Sequence, residues 1–502
     1  MGQAIAAKRT SRGYGVQQDR VGGGQLGTRS ASAAMTAGPA GAAASRAAGR
    51  ARRWRVAAAA GLYGLSMGFT APLATAQGIP LVRDAETEKL LKDYSRPIFK
   101  AAGLGGRITM RIVKHESFNA FVVDGLNVFI NTGTLLSAKT PNQVIGVIAH
   151  ETGHIKGGHL AALRTRIARD QTKAALLMVL GIGAAVLGAA SGDRDAGMAG
   201  VGIGVGGQEM LMRSLLSERR LQESAADQAG LKFLEATQQS GRGMLETFES
   251  FAQQEYVSAT YQDPFVRSHP VATDRIARLR ELVEKSPYLN AKDSPELQLR
   301  HDLVRAKISG YLEGLQQVLN RYPSKDTSLP ARYARAIARN CSGLCDQAIG
   351  EVDALLREHP ENPYFWEVKG SFLYRAGKHR QALAPLRKAL QLGGEEPLIQ
   401  VELAQAMLGT EDRALLEEAI GLLKRAVAPD KGNASAYNLL GTALARKGLM
   451  PQAEFATAMG RFAAGDVKEA QTFAKRAIRA LPPGSPEWIQ ADDIIKYKQP
   501  KQ

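Results

Sequence analysis

His150-Glu151-Thr152-Gly153-His154 sets two imidazoles four residues apart with a carboxylate beside the first, in a stretch from Pro141 to about Leu163 whose apolar spacing is helical. Positions i and i+4 share one helix face, so both rings can reach a single metal ion while Glu151 lies next to it. The chain has eight histidines, a supply from which a chance HExxH pattern arises on the order of 0.01 times. The chemistry such a pair supports is hydrolysis by a zinc-activated water, which needs a third protein ligand and an open fourth position.

Glu223, within Glu223-Ser224-Ala225-Ala226-Asp227, is the candidate third ligand. Glu223 and Asp227 fall one turn apart on a helix, so one carboxylate can hold the ion while the other accepts a hydrogen bond from a ligand imidazole. Two surface acids on an amphipathic helix would have the same spacing. His159, five residues past His154, falls off the ligand face and reads as a packing residue or a support to a ligand rather than as a ligand itself. His269 precedes Pro270 in a loop and is a better functional candidate. Arg275 can pair with an acid of the site or with a substrate carbonyl, or simply face solvent.

These residues need elements to hold them. Residues 83–102 read as a helix, and ITMRIVK, NAFVV and NVFIN between Arg107 and Asn131 read as three short strands, with Asp124-Gly125 as a hairpin turn. A small antiparallel sheet is expected. The strand around Asn119 to Phe129 can pair with an extended substrate, since an edge strand supplies unpaired backbone groups. Helices at about 209–236, 242–253 and 271–285 complete an α+β domain over residues 77–290.

From residue 291 to 498 the chain reads as all-α, with a 34-residue repeat starting at Leu329, Pro363 and Pro397. Small residues recur at the eighth position (Ala336, Gly370, Ala404) and at the twentieth (Ala348, Ala382), where paired helices cross closely. A three-residue insertion near Thr410 to Arg413 shifts the phase. Ala434 then starts a unit with Tyr437, Gly441 and Ala453 at the fourth, eighth and twentieth positions, and helices 453–464 and 466–480 follow. This is the pattern of a TPR solenoid. Cys341 and Cys345, the only cysteines, sit in the first clear repeat and invite a local disulfide if the chain is exported.

Residues 1–76 read differently. The net charge of +17 is concentrated in residues 1–55, which hold ten Lys or Arg against Asp19. A nucleic-acid reading therefore has little support, and there are no aromatic-basic clusters or nucleotide-binding glycine patterns to add to it. Arg52-Arg53-Trp54-Arg55, the apolar run Val56 to Phe69 and Ala74-Thr75-Ala76 follow the basic, hydrophobic and small-residue order of a secretory signal, with cleavage expected after Ala76. Residues 174–192 are apolar enough to score as a membrane span. A single crossing there would part His154 from Glu223, so the run reads as a flap over the site or a segment dipping into a membrane surface.

HExxH followed by an ExxxD helix, with Asn119-Ala120-Phe121 before a strand and Ser268-His269-Pro270 after it, resembles the metallopeptidase family that includes the CAAX prenyl proteases and the heat-shock membrane protease HtpX. The resemblance implies an α+β zinc metallopeptidase domain and then an all-α TPR solenoid. It also implies one Zn2+ held by His150, His154 and Glu223, with Glu151 as catalytic base and Asp227 in support. The signal and the repeats direct it to periplasmic members. These imply polypeptide substrates, outer-membrane β-barrel proteins with their assembly machinery as partners, peripheral membrane association, and a histidine such as His269 that can take the fourth zinc position and hold the enzyme inactive. Two rival readings stand beside this one: a TPR chaperone or assembly factor whose protease activity is latent or secondary, and an integral membrane protease.

Overall fold

The computed structural model describes residues 80–123, 125–170, 194–252, 264–270 and 272–498. The expected extension and signal (1–76), Asp124 of the expected turn and the apolar run 174–192 lie outside the described residues. Among the described residues, no helix is long and apolar enough to cross a membrane.

The first long helix, Ala85–Ala101, is started by Asp84, whose carboxylate accepts the Thr87 N–H at 2.8 Å. Its inner face carries Leu90, Leu91, Tyr94 and Ile98, all buried, and each large apolar side chain so placed contributes roughly 1.5–3 kcal/mol of transfer free energy. Helix Pro141–Lys156 starts with Thr140 as cap and Pro141 in its first turn. It is buried from Val144 to Gly153, because other helices pack closely where it carries glycine. A Cβ on Gly146 would lie 2.7 Å from the Met244 Cβ, and one on Gly153 would lie 2.6 Å from the Ala226 carbonyl oxygen.

Helix Pro141–Lys156 does not run on to Leu163 as its apolar spacing suggests. It ends at Gly157, Gly158 takes φ +64°, and a second helical stretch covers 159–170. A left-handed residue costs glycine little, and it turns the chain where periodicity alone carries no signal.

The sheet holds four strands, β1 (Leu81–Val82), β2 (Thr109–Val113), β3 (Ala120–Val122) and β4 (Asn127–Asn131), in the order β1-β2-β4-β3. The β3–β4 hairpin is antiparallel, and so is β1 on β2, but β2 and β4 run parallel, Thr109 opposite Asn127 through Val113 opposite Asn131. The sheet is thus mixed rather than wholly antiparallel. Residues 114–119 carry the chain past β4 before β3 forms, so β4 returns beside β2 in the same direction. That crossover is held by side chains: Thr132 Oγ1 donates to the His115 carbonyl at 2.9 Å and Thr134 Oγ1 to the Asn119 carbonyl at 2.7 Å. Strand β3 is left at one edge.

In the C-terminal half, helices begin at each expected repeat start: Leu329–Cys341, Pro363–Arg375, Pro397–Gly409 and Ala434–Arg446. Their partners are Cys345–Glu358, His379–Gly393, Leu416–Val427 and Met450–Ala463. Ala336, Ala404, Ala348 and Ala382 are fully buried at the crossings. A Cβ on Gly370 would meet the Leu386 Cγ at 2.4 Å. The insertion forms a turn in which Glu411 has φ +58° and Asp412 accepts the Ala414 N–H. A last helix, Pro486–Lys496, was not anticipated; it packs with Val467–Ala477 on a small alanine-rich core.

The expected Cys341–Cys345 disulfide is absent, and both thiols are free. Cys341 ends one helix and Cys345 begins the next. Gly343 at φ +83° turns the chain between them without a crosslink.

Helix Pro295–Leu312 serves both halves. Val304 and Ile308 enter the core of the first domain while Leu303 and Ala306 enter that of the repeats. His301, fully buried, lies 3.1 Å from the Tyr94 hydroxyl and 3.0 Å from the Ala138 carbonyl.

Candidate metal centre

Three stretches of chain meet at the HExxH motif. Helix Pro141–Lys156 supplies His150, Glu151 and His154; helix Arg194–Ala236 supplies Glu223 and Asp227; and the turn after Pro264–Ser268 supplies His269. The first two helices touch at Gly153 and Ala226, which brings Glu223 up to the imidazoles. The His269 N–H donates to the Phe265 carbonyl at 2.7 Å. Phe265 is itself enclosed by Phe118, Phe248 and Phe251, with ring centroids 5.3–5.8 Å away.

The donor atoms converge. His150 Nε2 lies 3.1 Å from His154 Nε2 and 3.2 Å from His269 Nδ1, and the Glu223 carboxylate lies 3.4 Å from His150 Nε2, 3.5 Å from His154 Nε2 and 3.2 Å from His269 Nδ1. One ligand atom from each of these four residues falls within 4.8 Å of the other three. Ring nitrogens that face one another at such distances cannot all carry protons, so their lone pairs point at a shared centre. Three imidazoles and a carboxylate form an N/O donor set that fits a zinc-type cation.

The supporting contacts fix each ring. His150 Nδ1 lies 2.9 Å from Asp227 Oδ1, and His154 Nδ1 lies 3.0 Å from His159 Nδ1. In each case the other ring nitrogen, Nε2, is left for the centre. Arg275 is buried rather than solvent-facing. It donates to both Asp227 oxygens at 2.6 and 2.8 Å and to the Pro270 carbonyl at 3.0 Å, lies 3.0 Å from Glu223, and sits 4.8 Å over the Phe248 ring. Glu151 is buried, its Oε1 making no hydrogen bond and lying 3.3 Å from His269 Nε2.

Electrostatics follow from this packing. Burial raises the proton affinity of the Glu151 carboxyl. Burial also opposes charge on His150, but Asp227 and Glu223 outweigh it and hold the ring at about 9. Burial, with the charge on His150 adding to it, drives His154 down to about 4 although Glu223 pulls the other way. For Glu223 burial is outweighed by His269, His150 and His154, which hold its carboxyl well below the usual range; Arg275 does the same for Asp227.

Asn119 sits just before β3. Its main chain is clamped by Thr134, and its Oδ1 accepts from Ser268 Oγ at 3.4 Å, next to His269. One contributor escaped the sequence reading: Arg219 donates to the Ser268 carbonyl at 2.7 Å and pins the turn that carries His269. Its signal was available, since Arg219, Glu223 and Asp227 recur at i, i+4 and i+8 on one helix face.

Residues 84–283 match the model of Peptidase family M48. These residues form an M48-like domain. Over a longer stretch, the chain is 25% identical over 390 residues to the beta-barrel assembly-enhancing protease of Yersinia pestis, a match covering 76% of this chain and 77% of that protein. The protein of the same name from Escherichia coli K12 is 24% identical over 392 residues, with the same coverage. Among solved structures, YrrB, described as a TPR protein with an unusual peptide-binding site, is 19% identical and covers 38% of this chain and 97% of its own, with a TM-score of 0.29. MamA is 22% identical and covers 32% of this chain and 90% of its own, with a TM-score of 0.26. The M48-like domain thus contains every converging residue of the metal group, and its likeness is to a family of metallopeptidases.

Proposed function

We propose that this chain is an exported zinc metalloendopeptidase that degrades misfolded or stalled polypeptides in the periplasm, with the TPR array holding clients or partner proteins. The observation that carries this reading is the convergence of His150, His154 and Glu223 on one point with Glu151 buried beside them. These three residues would hold the zinc. When bound, the ion supplies Lewis acidity toward a carbonyl oxygen and makes water acidic enough to lose a proton near neutral pH.

The rest is the work of side chains. Glu151, whose proton affinity burial raises, takes a proton from the attacking water and returns it to the leaving amine. Asp227 and His159 fix the tautomers of the two ligand imidazoles, and Arg275 braces both acids. Edge strand β3, with Asn119 at its start, offers unpaired main-chain groups to an extended substrate, which selects flexible or unfolded segments. The names of the relatives suggest outer-membrane β-barrel proteins and their assembly machinery as clients and partners, and peripheral association with the membrane follows from that role.

His269 supports a second reading. Its Nδ1 falls among the donors, where a water or a substrate carbonyl would otherwise reach the ion. In that state the protease is latent and the repeats act alone, as an assembly factor or chaperone. His269→Ala is expected to raise basal proteolysis; unchanged or lower activity removes the latent reading. Glu151→Gln is expected to cut peptide hydrolysis by about 10²–10⁴-fold with zinc retained. A Gln variant that cleaves a casein-type substrate at the wild-type rate refutes the base assignment.

A further inference from the structure

A cleft of about 680 Å³ lies between β2, helix Ala85–Ala101 and the repeats, and no residue of the metal group lines it. The order β1-β2-β4-β3 puts it on the side of the sheet away from β3. Strand β1 pairs Leu81 with Val113 and Val82 with Ile112, and the chain then turns at Asp84 into a helix. The rest of β2, Thr109–Arg111, has β4 on one side and, among the described residues, no strand on the other. Thr109 donates toward the β4 side, to the Leu126 carbonyl, and Lys114 toward the β1 side, to the Pro80 carbonyl. Alternation along the strand therefore aims the main-chain groups of Met110 and Ile108 into the cleft, which both residues line.

Along one wall, Lys92, Arg96 and Lys100 recur every fourth residue on a single helix face. All three are exposed and make no salt bridge among the described residues. Their basic neighbours are already matched: Arg83 lies 2.6 Å from Glu88 and 2.7 Å from Asp430, and Lys89 lies 2.6 Å from Asp93. Phe99 and, from the repeats, Leu398 give the cleft an apolar side.

We propose that this cleft binds an extended acidic polypeptide segment as an added strand along Thr109–Arg111, its carboxylates facing Lys92, Arg96 and Lys100. A strand edge recognises any main chain, and the cation row selects its charge. The segment comes from another molecule. The basic stretch 1–55, with ten Lys or Arg against Asp19, has the wrong sign to face these cations. A lipid headgroup or phosphate polymer could use the cations but would leave the strand edge unused.

The test uses the full chain carrying Glu151→Gln, so that probes are not cut, and a fluorescent ten-residue peptide of alternating Val and Glu read by anisotropy at low salt. Reversing the row with Lys92→Glu, Arg96→Glu and Lys100→Glu is expected to weaken binding by at least about tenfold. N-methylation of alternate peptide amides, which removes strand pairing and leaves the charge, is expected to weaken it by a similar factor, roughly tenfold. With Glu151 intact, the charge-reversed chain is expected to cleave a short neutral peptide at the wild-type rate. Equal affinity of the reversed and unreversed chains overturns the proposal, as does equal binding of the N-methylated probe. Binding of anionic lipid vesicles, but not of the peptide, to the unreversed chain replaces it with a lipid surface.

Discussion

Among the described residues, two groups of buried charge are built in opposite senses. Around the HExxH motif the donor atoms of His150, His154, His269 and Glu223 converge on one another, and the Arg275 guanidinium is held against Asp227 and Glu223 at the edge. In the second group the cation is a side chain. Lys307, 1% exposed, lies 2.6 Å from Asp84, 3.5 Å from Glu86 and 3.2 Å from Glu367. The Tyr333 hydroxyl donates to Glu86 at 3.1 Å, the Tyr364 ring lies 5.7 Å from the ammonium, and Tyr311 and Glu402 face the same charge. Asp84 and Glu86 belong to the start of the M48-like domain; Glu367 and Glu402 belong to the repeats. A buried charge group that brings its own counterion acts as a strut between domains, and one whose lone pairs meet at a point is a binding site.

Three carboxylates lie within 3.5 Å of one ammonium in the strut, and its charge also reaches Glu402. Burial drives Glu86 and Glu402 up to about 7, and Glu367 well above its usual range. For Asp84 burial is outweighed by Lys307, which lowers its pKa; for Lys307 burial is outweighed by the acids, which hold the ammonium charged. A carboxyl whose folded pKa is raised contributes stability that is complete below its unfolded value and is lost as pH rises through the folded one. The strut is therefore expected to weaken from about pH 4.5 upward through about 7. Asp84 works in the opposite sense, and its contribution is lost only as pH falls below about 3.8.

The largest effect is expected from Lys307→Met. Removing the central cation of a buried ionic group costs about 3–5 kcal/mol, and the loss should be greater at pH 8 than at pH 5, where the acids take up protons. Urea unfolding of the full chain at both pH values measures it. A neutral result makes the strut an ornament of packing. The metal group is expected to respond to shape instead. Gly153→Ala places a methyl 2.6 Å from the Ala226 carbonyl oxygen, so the helix bearing Glu223 must shift and zinc affinity should fall by roughly tenfold or more, the size of effect seen when support to a ligand is lost. Gly158→Ala, at φ +64° with nothing within 4 Å, is the control: it should cost ~1 kcal/mol of stability and leave affinity in a chelator-competition assay unchanged.

A smaller change should follow Glu86→Gln, which removes one of the raised carboxyls. The decline in stability between about pH 4.5 and 7 should flatten by up to about 1.4 kcal/mol per pH unit. An unaltered pH profile would place the titration elsewhere. The smallest is Cys341→Ser, expected to change stability by no more than about 0.5 kcal/mol. Thiol counting on unreduced protein should find both cysteines free.

What the sequence made legible was local. HExxH and ExxxD sit on helices where one-turn spacing predicts them, and the four repeat starts coincide with helix starts because small residues at fixed intervals report close helix crossings. What it hid was long-range or very short. Strand β1 is two residues long, below any period that could announce it. The parallel β2–β4 pairing depends on the path of residues 114–119, which hydrophobic alternation does not encode. Lys307 finds Asp84 and Glu367 far away in sequence, and Arg275 finds Asp227 from a separate helix; no spacing rule links them. The helix Pro295–Leu312 begins just past the boundary expected near residue 290, yet Val304, Ile308 and His301 help complete the M48-like core. A chain ended at 290 would lose those contacts together with Lys307.

The central claim is that His150, His154 and Glu223 hold one catalytic zinc. Zinc content of the purified full chain, measured by elemental analysis beside Glu223→Ala and Glu151→Gln after the same chelation and reloading, tests it most directly. One zinc per chain in the wild type and in Glu151→Gln, and loss of that zinc in Glu223→Ala, is the predicted result. Stoichiometric zinc that survives Glu223→Ala, or none in the reloaded wild type, contradicts it.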